Sequence, residues 1–165
     1  MTETVPQTGR GDVIAPQSSA ALDAVKTLFR EYAQSLNFDL CFQDFDQEMA
    51  DFPGKYAATA GGALLLAELD GAPVGAVGLR DLGDGVCEMK RLYLRPAARG
   101  TGLGSRLVDE LIAQARALGY RAMRLDTVPG HHDRAIALYR QLGFRDIEAY
   151  CHNPVPGAMF MELVL

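Results

Sequence analysis

The sequence predicts a mixed α/β fold, and three observations carry that prediction. Apolar residues recur at helical spacing near the N-terminus, a meander of apolar runs with an Asp-Gly turn follows, and a glycine-rich turn then joins a strand to a well-patterned helix. The expected layout is a central, mostly antiparallel sheet flanked by helices.

Residues 1–12 read as a flexible tail and residues 13–165 as one domain, because a chain of 165 residues suits a single core. Residues 13–16 suggest a short first strand. From Ser19 onward, Leu22, Val25, Phe29, Tyr32 and Leu36 fall at spacings of three and four behind Ser18-Ser19, which marks a capped amphipathic helix. A shorter helix over 44–51 ends at Phe52-Pro53-Gly54. The apolar runs 63–69 and 74–79 are joined by Asp70-Gly71, a dipeptide suited to a two-residue hairpin turn. A loop over 81–85 leads to a strand over 86–94 that Pro96 closes. Leu103, Leu107, Val108, Leu111, Ile112, Ala115 and Leu118 then trace one helical face, stopped by Gly119. A strand over 121–127, a helix over 132–142 capped by Gly143, and closing strands over 145–150 and 159–165 complete the order.

Hydrophobic residues at 48% against 22% charged give enough apolar material for a core and exclude global disorder. The net charge of -5, with no Lys/Arg cluster, argues against nucleic acid as a partner. Cys41, Cys87 and Cys151 lack any paired spacing, so they read as buried free thiols in a reducing compartment. The first residues lack a basic start followed by an apolar run, and no stretch approaches the roughly 20 apolar residues that span a bilayer. A cytoplasmic protein with no membrane partner is the expectation, and a homodimer stays open. His131 and His132 diverge as neighbours and have no carboxylate at ligand spacing, so no metal is expected.

The chemistry concentrates at Arg99-Gly100-Thr101-Gly102-Leu103-Gly104-Ser105, where a strand turns into a helix. Glycines let backbone N–H groups approach an anion, and the helix start adds unpaired donors and a positive dipole end, a pattern suited to pyrophosphate. A mononucleotide loop would need a lysine after the last glycine, where Ser105-Arg106 stands. A dinucleotide fold would place the turn after the first strand of a parallel sheet. Neither pattern is met.

Arg99-Gly100-Thr101-Gly102-Leu103-Gly104 matches the Q/R-x-x-G-x-G/A cofactor motif of the GNAT superfamily of acyl-CoA N-acyltransferases, which the chain resembles over residues 60–165. The preceding Leu92-Tyr93-Leu94-Arg95-Pro96 and the later Ala135-Ile136-Ala137-Leu138-Tyr139 with Leu142-Gly143-Phe144 extend the match. The resemblance implies that the strands over 86–94 and 121–127 splay, with acetyl-CoA as co-substrate lying in the gap. Leu92, Tyr93 and Leu94 would hold the pantetheine arm, and Arg99 to Ser105 the pyrophosphate. It further implies Tyr139 as the general acid for the leaving thiolate, against which stands a core role for this aromatic. Glu88 is the candidate base, acting through water on the acceptor ammonium, against a charge paired with Lys90 or Arg91. His132 stands where many relatives carry an Asn that touches the cofactor arm. The implied activity is transfer of acetyl to the primary amine of a small molecule. An acidic chain with an apolar front edge at Phe38, Phe42, Phe45 and Tyr56 favours that acceptor over a basic peptide. A protein or peptide acetyltransferase and a non-catalytic acyl-CoA sensor are the alternatives.

Overall fold

The computed structural model describes residues 11–40 and 43–165, so Cys41 and Phe42 lie outside the described residues. Seven strands among these form one sheet in the order β1-β2-β3-β4-β5-β7-β6. They are β1 (Gly11–Ile14), β2 (Ala63–Leu69), β3 (Ala72–Gly83), β4 (Val86–Leu94), β5 (Ala122–Thr127), β6 (Arg145–Asp146) and β7 (Met159–Val164). Four helices flank it: α1 (Ser19–Ser35), α2 (Phe45–Asp51), α3 (Leu103–Ala117) and α4 (Asp133–Leu142). The mixed α/β expectation therefore holds.

The continuous apolar run of β2 follows from burial on both faces of the sheet. Leu64 and Leu66 pack with Val25, Leu28 and Phe29 of α1, while the alternate residues Leu65 and Ala67 join the cluster of Leu103, Leu107, Val108 and Leu111 of α3. α1 begins where the Ser18 hydroxyl accepts from the Ala21 amide at 3.1 Å, satisfying one orphan donor of the first turn. Asp70 and Gly71 both take positive φ, 51° and 81°, and close the β2–β3 hairpin. β1 starts at Gly11, pairing with Leu69, so Gly11 and Asp12 belong to the sheet and not to the tail.

Two strands differ in length from the sequence reading. β3 runs on to Gly83 through an irregular register, which confines the turn to Asp84 and Gly85, both at positive φ. β6 stops after Asp146, although the Ile147 amide still donates to the Phe160 carbonyl at 2.9 Å. Beyond it the chain is irregular as far as β7.

The feature that positions the site is the junction of β4 and β5. They are parallel neighbours only at Val86, Cys87 and Glu88, after which β5 stays with β7 and β4 with β3. β4 also bulges: Ala76 faces Tyr93 while Gly78 faces Lys90, which gives β4 one residue more than β3 there. Arg91 lies in the bulge at φ 61°, a conformation that costs a non-glycine residue energy.

Candidate active site

α3 opens at Leu103 with Gly102 as its cap at φ 82°, a residue with no side chain to cap the helix, and only a long bond of 3.4 Å runs from the Leu103 amide to the Thr101 hydroxyl. Its first amides consequently have no partner within the helix. Gly100 (φ 83°) and Gly102 need the left-handed conformation, and a Cβ built on Gly100, Gly102 or Gly104 would meet nothing within 4 Å. Open space, amides without a partner inside the helix and the positive end of a fifteen-residue helix fit an anionic pyrophosphate. Thr101 and Leu103 turn inward: the Thr101 hydroxyl donates to the Ala98 carbonyl at 2.5 Å, and the Leu103 side chain is buried in the core. Only their backbones face the turn.

From this cradle a cleft of about 980 Å³ runs between β4 and α4. Its walls include Leu92, Tyr93, Leu94, Arg99, Ser105, Gly130, His132 and Leu138. The Arg95 amide donates to the Val74 carbonyl at 2.7 Å. Because backbone groups alternate along a strand, those of Leu92 and Leu94 turn to the edge that β5 leaves unpaired. The Arg99 guanidinium reaches back to the Leu94 carbonyl at 3.3 Å, so that oxygen already accepts a bond.

Glu88 is fully buried beside the last β4–β5 pair. Arg80 Nε donates to its Oε1 at 2.7 Å and the Tyr150 hydroxyl to its Oε2 at 2.5 Å, with Lys90 Nζ at 3.7 Å. Its main cation is therefore Arg80, and Arg91 belongs to another group. Arg91 pairs with Glu48 at 3.2 Å, donates to Gln43 Oε1 at 2.5 Å and lies 5.2 Å over the Phe45 ring. Tyr56, placed by the sequence on an apolar front edge, is buried and donates to Glu48. Burial, reinforced by Glu88, pushes the Tyr150 hydroxyl far above its ordinary value, so it stays protonated.

A second, small pocket of about 30 Å³ lies past the end of the cleft, lined by Phe38, Gln43, Lys90, Asp126, Asn153 and others. Asp126 accepts from Asn153 Nδ2 at 3.0 Å and Gln43 Nε2 at 3.2 Å, and lies 3.5 Å from Lys90. Sequence reasoning missed Gln43, Glu48, Asp126 and Tyr32. The pairs Glu48–Arg91 and Lys90–Asp126 join residues 43 and 36 positions apart, beyond the reach of any local pattern.

Tyr139 is buried on α4 with its ring 5.5 Å from Phe144. Burial, with Tyr32 adding to it, pushes its hydroxyl well above the usual value. Its ring belongs to the core cluster, and its neighbours Ala135 and Leu138 line the cleft. His132 caps the start of α4. Its Nδ1 accepts from the Val128 amide at 3.3 Å and lies 2.9 Å from the Thr127 hydroxyl, while its buried Nε2 has no hydrogen-bond partner among the described residues. Cys87 is buried as expected, but Cys151 is exposed.

The model of the acetyltransferase (GNAT) family matches residues 22–144. An uncharacterised N-acetyltransferase of Schizosaccharomyces pombe is 42% identical over 143 residues, 86% of this chain and 87% of its own. An acetyltransferase structure from Streptococcus agalactiae superposes with a TM-score of 0.75 at 20% identity, covering 96% of this chain and 99% of its own. A Salmonella typhimurium protein solved with its cofactor acetyl-CoA gives 0.71 at 21% identity, with 93% of each chain covered. With the family model spanning most of the sequence and a relative of this identity along nearly its whole length, the chain belongs to the acetyltransferase (GNAT) family.

Proposed function

We propose that the protein transfers acetyl from acetyl-CoA to the primary amine of a small molecule in the cytoplasm. The observation that carries this reading is the union of the open glycine cradle with the gap between β4 and β5. The bound Salmonella relative supports the identity of the donor. Acetyl-CoA supplies an activated thioester, which a neutral amine can attack without a covalent enzyme intermediate.

The amides from Gly100 to Ser105 hold the pyrophosphate, and the outward backbone of Leu92 and Leu94 orients the arm. Direct transfer suits the thiols: burial pushes Cys87 up to about 12, and partial desolvation together with Asp126 and Glu88 pushes the exposed Cys151 up to about 11, so neither is a thiolate at neutral pH. Tyr139 gives its proton to the departing sulfur. Glu88 accepts the ammonium proton through water, and Tyr150, bonded to it, belongs to the irregular segment before β7. Thiol release from acetyl-CoA measured across amines, amino acids and peptides tests the reading. A small amine should give the highest kcat/KM; a peptide preference would favour a protein acetyltransferase, and CoA binding without release of thiol a sensor.

A further inference from the structure

The large cleft and the small pocket share two lining residues among those described, Tyr32 and His132. They form the partition between the two spaces. Their rings stack at 6.0 Å with 12° between planes, and Tyr93 meets the Tyr32 ring edge-on at 6.4 Å. His132 cannot swing freely, because its Nδ1 is tied to Val128 and sits beside Thr127. The Tyr32 ring is thus held from α1, β4 and the start of α4 together.

Its hydroxyl has a different status. It makes no hydrogen bond to the described residues, although Arg91, Asp126 and Glu48 are near enough to act on it electrostatically. A neutral phenol on a half-buried, fixed ring, with no hydrogen bond among the described residues, is free to donate to an acceptor placed at the partition. Burial pushes it up to about 12, so it keeps its proton at neutral pH.

The placement tells which acceptor. An arm running along Leu94 and Leu92 from the cradle ends at this partition. The space beyond, about 30 Å³, admits a group the size of a water or a methyl. An acetyl thioester at the end of such an arm would put its carbonyl at the partition and its methyl beyond.

We propose that the Tyr32 hydroxyl is a second catalytic phenol, donating a hydrogen bond to the carbonyl oxygen of the acetyl thioester. This rests on acetyl-CoA being bound as set out above. The bond polarises the carbonyl toward attack and strengthens as negative charge develops on oxygen, the general action of an oxyanion donor. Tyr139 serves the other atom, the departing sulfur, so the two phenols have separate duties.

The test compares acetyl-CoA with CoA, which has the same arm but no acetyl carbonyl. Calorimetric titration of wild type and Tyr32→Phe should show acetyl-CoA affinity falling about 2- to 10-fold in the variant, the range of one hydrogen bond, with CoA affinity unchanged. Phenylalanine keeps the ring on His132 and Tyr93. A second readout needs no variant: the ¹³C resonance of carbonyl-labelled acetyl-CoA should move downfield on binding to wild type, and less so with Tyr32→Phe. Equal loss of both ligands, no loss of either, or an unmoved carbonyl resonance on a bound ligand overturns the role of Tyr32 alone. Failure of wild type to bind either ligand overturns the donor reading and the proposal together.

Discussion

Glu88 and Tyr139 differ in what their removal leaves behind, and single substitutions separate chemistry from structure at each. Tyr139→Phe keeps the ring against Phe144 and deletes the proton. Turnover should fall about 10- to 1000-fold, up to the middle of the range for general acid catalysis, with melting temperature little changed. A loss within about twofold, under half a kcal/mol of barrier, would return Tyr139 to the core. Glu88→Gln is harsher, because Arg80, Tyr150 and Lys90 all face that carboxylate. It should cost about 1 to 3 kcal/mol of stability by denaturant titration, as expected for hydrogen bonds to a charge. If Glu88 is also the base, the loss of turnover should shrink at alkaline pH, and a profile parallel to wild type would leave it a structural role. His132 makes a pH prediction. Burial, with His131 adding to it, lowers its pKa from 6.5, so the unfolded chain takes up the proton first. Its contribution is full above about pH 6.5 and is lost as pH falls through that value toward the folded pKa. His132→Asn, which can still accept from Val128, should flatten the pH dependence of stability across that window; an unchanged slope would show that other groups set it.

At the scale of elements, α3 does two things that the sequence displayed in one stretch. Its apolar face reads directly from the spacing of Leu103, Leu107, Val108, Leu111 and Ile112, all buried, and its glycine start forms the cradle. Leu107→Ala removes a fully buried side chain from the α3 side of the sheet. It should cost about 2 to 5 kcal/mol in denaturant midpoint experiments, and a loss under about 1 kcal/mol would mean that the site collapses around the void. The helices, the meander and the cradle were legible because each depends on residues close in sequence. β6 was not: Ile147 and Tyr150 keep a strand-like composition, but after Asp146 the segment makes a ring contact with Phe160 and a bond to Glu88 in place of a ladder. The inner pocket was equally hidden. Gln43, Asp126 and Asn153 come from three separate segments and meet only because β4 and β5 part after Glu88. Tyr32 was read as one more apolar position of α1, since periodicity places a ring on a face without revealing that its hydroxyl makes no hydrogen bond among the described residues.

For the whole molecule, the central strands of the sheet carry a buried cluster on each face, and β4 and β5 part after Glu88. A ligand in that seam bridges β4, the start of α3 and α4, elements otherwise joined chiefly through the core. Binding to the folded state alone stabilises it by about 2.7 kcal/mol at a hundredfold excess over Kd. In a chain of this size each kcal/mol moves the melting temperature by about 2 to 4 °C, so CoA at that excess should raise it by roughly 5 to 10 °C. Gly102→Asp is the discriminating variant. It places a carboxylate in the open space over the cradle at a position with φ 82°, where a side chain is also strained. The unliganded variant should therefore melt somewhat lower, and the informative quantity is the increment that CoA adds. If the cradle carries the pyrophosphate, that increment vanishes at a CoA concentration that protects wild type, because charge repulsion and lost amide contacts act on the ligand and not on the fold. An increment of wild-type size in a folded Gly102→Asp protein would place the phosphates elsewhere along the cleft and remove the glycine turn from the binding site.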